Sequence, residues 1–299
     1  MKKVSLIITG IALLLIVTGI FVLMNKPAST FDNVTIPEED EIDEETPEEQ
    51  PQEDEEDQEQ AEDNENEESD PRQFTTVIAE AVQSTIDFFS TRETHVVAIG
   101  DSLTQGVGGN QEQGGYVGIL DRTINENEQL VTFDNFGVRG NRSGQLLDRL
   151  DNPEIESAVA DSDIVLITIG ANDIMQVVKE NFANINLGDF VEERARYEER
   201  LEQILTKIRN INPNTEIYLV GFYNPFEQYF GDIEELGIIV EDWNRTGRTM
   251  AGNRDNVTFI PTADLFEGSD EVLFAEDNFH PNDLGYKRIA RRVLEYLTN

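Results

Sequence analysis

Cysteine is absent from the 299 residues. That excludes a disulfide framework, a thiolate metal site, a cysteine nucleophile and a lipid-modified cysteine. Histidine occurs twice, at His95 and His280. Two are too few for a multi-histidine metal centre, and no metal or organic cofactor is expected. Basic residues are scarce: 22 Lys and Arg stand against 61 Asp and Glu, a formal net charge of −39. An electrostatic grip on nucleic acid needs clustered Lys and Arg, so no nucleic-acid partner is expected. Spontaneous adhesion to an anionic lipid face is disfavoured for the same reason.

The charge is uneven. Residues 27–72 hold 22 acidic residues and one basic residue, Arg72. Large apolar residues nearly vanish after Ile42. Such a stretch cannot bury enough surface to offset its ordering entropy, and its like charges extend it. It reads as a disordered acidic linker. Residues 73–299 carry the other 39 acids and 18 basic residues, so the rest of the chain is also acidic. At the other end, Lys2 and Lys3 precede an uncharged, mostly apolar run over residues 4–24, followed by Lys26. As a helix that run spans roughly 32 Å, enough for a bilayer core of about 30 Å. Residues 1–26 therefore read as a signal anchor, a transmembrane helix. The positive-inside rule leaves Lys2 and Lys3 in the cytoplasm and the remainder outside. The alternative is a protein secreted after signal cleavage, for which Pro27-Ala28-Ser29 is a poor cleavage site. Residues 73–299 form the expected domain, with a leading helix at 74–90 and a core at 94–299.

In the leading segment Phe74, Val77, Ile78, Ala81, Val82, Ile86 and Phe89 recur at three- and four-residue steps, the apolar face of a helix expected to dock on the domain, the alternative being a membrane-proximal collar. From His95 onward, short apolar runs alternate with helical periods. The strand candidates are 95–99, 130–133, 163–169, 216–220 and 257–260. Several are continuous Val/Ile/Leu runs, as in strands buried on both faces. The clearest helices are 189–209, with Asp189 and Glu192 as a capping pair, and 284–297. This alternation argues for an α/β fold with a five-stranded parallel sheet covered on both sides.

Open parallel sheets bind ligands outside the carboxyl ends of their strands. Gly100-Asp101-Ser102-Leu103 follows the first strand. Asn135-Phe136-Gly137-Val138-Arg139-Gly140 lies beyond the second, and Gly170-Ala171-Asn172-Asp173 ends the third. Asp277-Asn278-Phe279-His280-Pro281 precedes the last helix. These supply a serine, a base, an acid and oxyanion donors, the parts of acyl transfer. Ser102 is too weak a nucleophile alone and needs a base. His280 suits, with Asp277 three residues earlier to fix its tautomer. His95 opens a buried strand and points away from the carboxyl end. The Ser102 N–H, the Gly140 N–H and the Asn172 amide are the candidate oxyanion donors. Taken singly, Gly-Asp-Ser is a common turn and Asn172-Asp173 a common helix cap. Their joint order carries the reading.

Those four blocks resemble the SGNH, or GDSL-type, serine hydrolases over about residues 94–299, in particular bacterial lysophospholipase- and thioesterase-like members. The resemblance implies a three-layer α/β/α sandwich, flavodoxin-like, with no cofactor. It makes Ser102 the nucleophile and Asp277 and His280 its partners. Ser102, Gly140 and Asn172 become the oxyanion hole, Gly140 being matched rather than Gly137 by counting from Asn135.

Other motifs are set aside or read as accessories. The glycine-rich stretch 106–115 has no phosphate-loop signature and reads as a mobile rim near Ser102. Asn33-Val34-Thr35 and Asn244-Arg245-Thr246 match a glycosylation acceptor pattern that is frequent by chance. Phe222, Tyr223, Phe226, Tyr229, Phe230 and Trp243 follow the fourth strand and wall a pocket or fill the core. The expected activity is that of a membrane-anchored, extracytoplasmic serine esterase of the lipase, lysophospholipase or acylesterase type. Its substrate is a small-molecule, lipid or polysaccharide ester. A narrower alternative is removal or transfer of O-acetyl groups on cell-envelope polysaccharide. An alternative of another class is a non-catalytic tethered binding module, against which the complete residue set argues.

Overall fold

The computed structural model describes residues 88–91, 93–110, 113–181, 186–225 and 234–298. The expected anchor at 1–26, the linker at 27–72 and the leading helix up to residue 87 lie outside them. Among the described residues, no helix is long and apolar enough to cross a membrane. The leading segment ends in Phe88 and Phe89, and the buried Phe89 ring packs into the core.

Five parallel strands make one sheet: β1 (Thr94–Gly100), β2 (Val131–Gly137), β3 (Ile164–Thr168), β4 (Glu216–Val220) and β5 (Val257–Ile260). Their order is β2-β1-β3-β4-β5. The chain thus runs outward from β1 in one direction to β2 and then in the other to β3, β4 and β5. This reversal opens a crevice between β1 and β3 at their carboxyl ends. Ser102 and Asn172 follow those two strands.

Eight α-helices are described, besides a 3₁₀ turn at Ala263–Leu265: α1 (Ser102–Gln105), α2 (Gly115–Ile124), α3 (Ser143–Arg149), α4 (Pro153–Ala160), α5 (Ala171–Glu180), α6 (Leu187–Ile211), α7 (Glu234–Gly252) and α8 (Asp283–Leu297). Side chains alternate across a strand, and the sheet sorts accordingly into two cores. Val97, Ile99, Val165 and Ile167 face Leu146, Tyr197, Leu201, Ile204 and Trp243 of α3, α6 and α7. Val96, Ala98, Ile164 and Leu166 face Tyr116 and Leu120 of α2 and Ile289 and Val293 of α8. The result is the expected three-layer arrangement, with β1 and β3 buried on both faces.

Two boundaries differ from expectation. β2 does not stop at Phe133 but runs on to Gly137, because Asn135 stays in register with Ala98 and Gly137 with Gly100. As an edge strand it tolerates the polar Asp134 and Asn135, so backbone pairing rather than the apolar run sets its length. α6 begins two residues early. Its cap is Asn186, whose Oδ1 accepts from Asp189 N and whose Nδ2 donates to Asp189 Oδ2. Asp189 is therefore the third residue of the first turn, not the cap.

Candidate active site

Asp101 leaves β1 extended and caps α1, its Oδ1 accepting from Leu103 N at 3.0 Å. That sharp strand-to-helix step sets Ser102 at the crevice, 6% exposed. The loop before α8 brings His280 over it. The Ser102 hydroxyl and His280 Nε2 are 2.9 Å apart, and His280 Nδ1 meets Asp277 Oδ2 at 2.5 Å. Asp277 Oδ1 also accepts from Phe279 N at 3.1 Å and His280 N at 2.9 Å. Asn278 turns the loop with φ 54°, so one carboxylate holds both the backbone and the ring of His280. Burial alone would raise the Asp277 carboxyl. The His280 hydrogen bond and charge, with the two backbone N–H groups, outweigh it and bring it down to about 2.

Residues 98–288 match the GDSL-like lipase/acylhydrolase family. The chain belongs to that family. It is an ester-hydrolysing enzyme. The uncharacterized protein YpmR of Bacillus subtilis (strain 168) is 36% identical over 204 residues, covering 67% of this chain and 80% of that protein. The spore germination lipase LipC of Bacillus licheniformis is 26% identical over 204 residues, 66% of this chain and 92% of that one. Among solved structures, the lipase Lip_vut3 from a goat rumen metagenome superposes with a TM-score of 0.60 at 26% identity. That match covers 69% of this chain and 97% of the other.

Besides the Ser102 N–H, the other two expected oxyanion donors of this GDSL hydrolase, Gly140 and Asn172, lie on neighbouring segments. Gly137 ends β2 and is packed against α1, with no room for a side chain. Gly140 has φ 77° and open space within 4 Å of where a Cβ would stand. Asn172 is buried at the start of α5, and its Nδ2 donates to Asn141 O at 3.1 Å, which ties it to the Gly140 turn. An amide nitrogen carries two hydrogens, so this bond leaves Asn172 a second donor.

Sequence reasoning missed the frame around these donors. Arg149 donates to Asn141 Oδ1 at 2.9 Å and to Phe136 O at 2.7 Å. On the other side, the buried Asp173 accepts from the Ser143 hydroxyl at 2.6 Å, Ser143 N at 3.0 Å and Arg200 at 3.0 Å. Arg200 also reaches Ser143 Oγ and Glu193. Burial pushes the Asp173 carboxyl up, against the pull of Ser143 and Arg200. The network locks α3, which follows the Gly140 turn, to α5, which carries Asn172. Only Asp173, beside Asn172 in the third block, hinted at it; Arg200 sits in an unremarkable charged helix.

One further expectation changes. The described part of the glycine-rich stretch is pinned rather than loose. Tyr286 donates to Val107 O at 2.6 Å, Asn110 N donates to Asp283 Oδ1 at 2.7 Å, and Gly108 abuts His280 and Pro281. Its glycines permit this close approach to the His280 loop. His95 lies at the opposite end of β1, with Nε2 2.8 Å from Asp134 Oδ2, remote from Ser102 as expected. Of the aromatic cluster, Phe226, Tyr229 and Phe230 lie outside the described residues. Phe222 and Tyr223 line a pocket at Ser102, and Trp243 belongs to the core. No group of three or more potential metal ligands occurs among the described residues.

Proposed function

We propose that this GDSL hydrolase cleaves carboxylic esters through Ser102, His280 and Asp277. The observation that carries the reading is the unbroken line from the Ser102 hydroxyl through His280 to the Asp277 carboxylate. Asp277 accepts from Nδ1–H and so leaves Nε2 as a base aimed at Ser102. His280 takes the hydroxyl proton as Ser102 Oγ bonds to the ester carbonyl carbon. The oxyanion that forms accepts from the Ser102 N–H, the Gly140 N–H and the free hydrogen of Asn172 Nδ2. His280 then passes its proton to the departing alcohol, and the C–O bond breaks to leave an acyl-enzyme. Water loses a proton to His280, attacks the acyl carbon, and the acid leaves as Ser102 regains its proton. Asp277 stays ionised throughout, consistent with its lowered pKa.

The relatives named as lipases, LipC and Lip_vut3, support a lipid or other small ester as the substrate class. The N-terminal Lys2-Lys3 and the apolar run at 4–24 support a single-pass anchor holding the domain outside the cell. Ser102→Ala in the full chain is the test: hydrolysis of a short-chain p-nitrophenyl ester falls to the uncatalysed level while the circular dichroism spectrum stays native. Retained turnover refutes the assignment. Protease shaving of intact cells tests the location, with loss of the domain expected and full protection contradicting it.

A further inference from the structure

Asn244 and Phe222 stand out in the sequence for unrelated reasons, one heading an Asn-Arg-Thr pattern and the other in an aromatic cluster. The fold brings them together beside Ser102. Asn244 lies on α7, 3% exposed, and both ends of its amide are spent on one residue. Phe222 N donates to Asn244 Oδ1 at 2.7 Å, and Asn244 Nδ2 donates to Phe222 O at 2.9 Å. A buried amide used this way is closed to a glycan. It fixes the chain just after β4, at the residue whose ring walls the pocket.

The walls are braced from behind. A methyl on Gly170 would come within 2.8 Å of the Phe222 ring tip and 2.7 Å of Tyr197. Tyr197 meets Phe222 edge-on at 6.3 Å between centroids, and Trp243 stacks behind Tyr197 at 6.1 Å. On the facing side Tyr223 stacks on Phe266 at 4.3 Å, and its hydroxyl donates to Phe279 O at 3.0 Å. A close-packed wall of this kind resists displacement, so the pocket selects by size. The pocket opens to solvent at Ser102 and its volume is about 50 Å³, a third of the ~150 Å³ apolar cavity that takes a benzene ring.

Resting on the reading of Ser102 as nucleophile, we propose that this pocket holds the acyl group of the ester, sized for acetyl to butyryl, and that Phe222, held by Asn244, sets the limit. Polarity assigns the acyl side. Leu103, Ile169, Val220, Phe222 and Phe279 make most of the lining, and the polar Asp101 and Thr168 that also reach it are bonded to each other. An alkyl tail gains by burial there, whereas the hydroxyl-bearing alcohol of a glycan or glyceride would shed water without replacement partners. The alcohol therefore points to solvent and is loosely selected. Asn244 is a positioning residue, acting only through the Phe222 peptide.

The test uses the full chain and two ester series: p-nitrophenyl esters from acetate to decanoate, and alkyl acetates from methyl to octyl. A methylene too many in a rigid pocket costs roughly tenfold. Wild-type kcat/KM is expected to peak between acetate and butyrate and to fall at least about 100-fold by octanoate, while the alkyl acetate series stays flat. Phe222→Ala should raise the octanoate-to-acetate ratio by about tenfold or more, and Phe222→Leu, a milder change, should move it the same way. Asn244→Ala should also relax the ratio. Asn244→Asp keeps the acceptor for Phe222 N and should fall between it and wild type. If no ester of either series is hydrolysed, the nucleophile reading fails. If octanoate is cleaved as fast as acetate, or the cut-off appears in the alcohol series, the pocket assignment fails and the Ser102 reading stands. An unchanged profile in folded Phe222→Leu overturns the assignment in the same way.

Discussion

Replacing Asp277 with Asn probes the orientation of the imidazole without removing atoms. An asparagine can keep its Oδ1 on the N–H groups of Phe279 and His280, now accepted at 3.1 and 2.9 Å, so the loop persists. Its NH2 then faces His280 Nδ1 where a carboxylate oxygen stood at 2.5 Å. Two donors cannot face each other, so the ring adopts the tautomer with hydrogen on Nε2. Ser102 loses its base. In a serine hydrolase of the same constellation such a change costs about 10⁴ in kcat, equivalent to about 5.5 kcal/mol of transition-state stabilisation. Steady-state hydrolysis of p-nitrophenyl acetate should show that loss with KM nearly unchanged. A second readout follows from linkage. The folded Asp277 carboxyl lies at about 2 against an ordinary 3.8. Its contribution is complete above about pH 4 and disappears as pH falls towards 2, a loss of about 2 kcal/mol. Urea unfolding of the variant should not show that loss. A kcat within tenfold of wild type would refute the tautomer reasoning.

Three further outcomes follow. Burial raises the Asp101 carboxyl to about 6, against Leu103 N–H and the Thr168 hydroxyl; the folded chain therefore binds the proton more tightly than the unfolded one, and stability falls as pH rises from about 4 to about 6. Asp101→Asn should gain roughly 2–3 kcal/mol on wild type between pH 4 and pH 7, read from denaturant midpoints, and parallel curves would contradict this. Gly108→Ala brings a methyl within 2.7 Å of His280 Cβ and Pro281 O, so kcat should drop at least about tenfold through misplacement of the base, and an unchanged kcat would count against the packing. Arg200→Met leaves the buried Asp173 carboxylate its two Ser143 donors but no countercharge and should cost about 3–5 kcal/mol of stability, with a fall in kcat from the loosened Gly140 turn; a change below 1 kcal/mol would mean that the ion pair acts as a surface one.

The sheet and the candidate site were legible for one reason: each is a local pattern. β3, β4 and β5 are buried apolar runs with turn residues behind them, and their limits fell within a residue or two of expectation. Ser102, Asn172, Asp277 and His280 each sit in a short block at a strand exit or before the last helix, where topology demands chemistry. What stayed hidden depends on long-range contact. β2 outlasts its apolar run because it pairs with β1. Arg200 is one of several charges in α6 until Asp173 and Ser143 come to meet it, and Asn244 is one polar residue of α7 until it closes on Phe222. The stretch 106–115 reads as loose because glycine is permissive, yet here its small size serves close packing against the His280 loop.

Covalent labelling reads the reactivity of Ser102 directly. The full chain, treated with a fluorophosphonate and digested, is expected to carry one stoichiometric phosphonyl adduct on Ser102, formed in step with loss of esterase activity and suppressed in His280→Ala. Loss of activity with no adduct on Ser102, or with the label on another residue, would contradict the assignment of Ser102 as the His280-activated nucleophile.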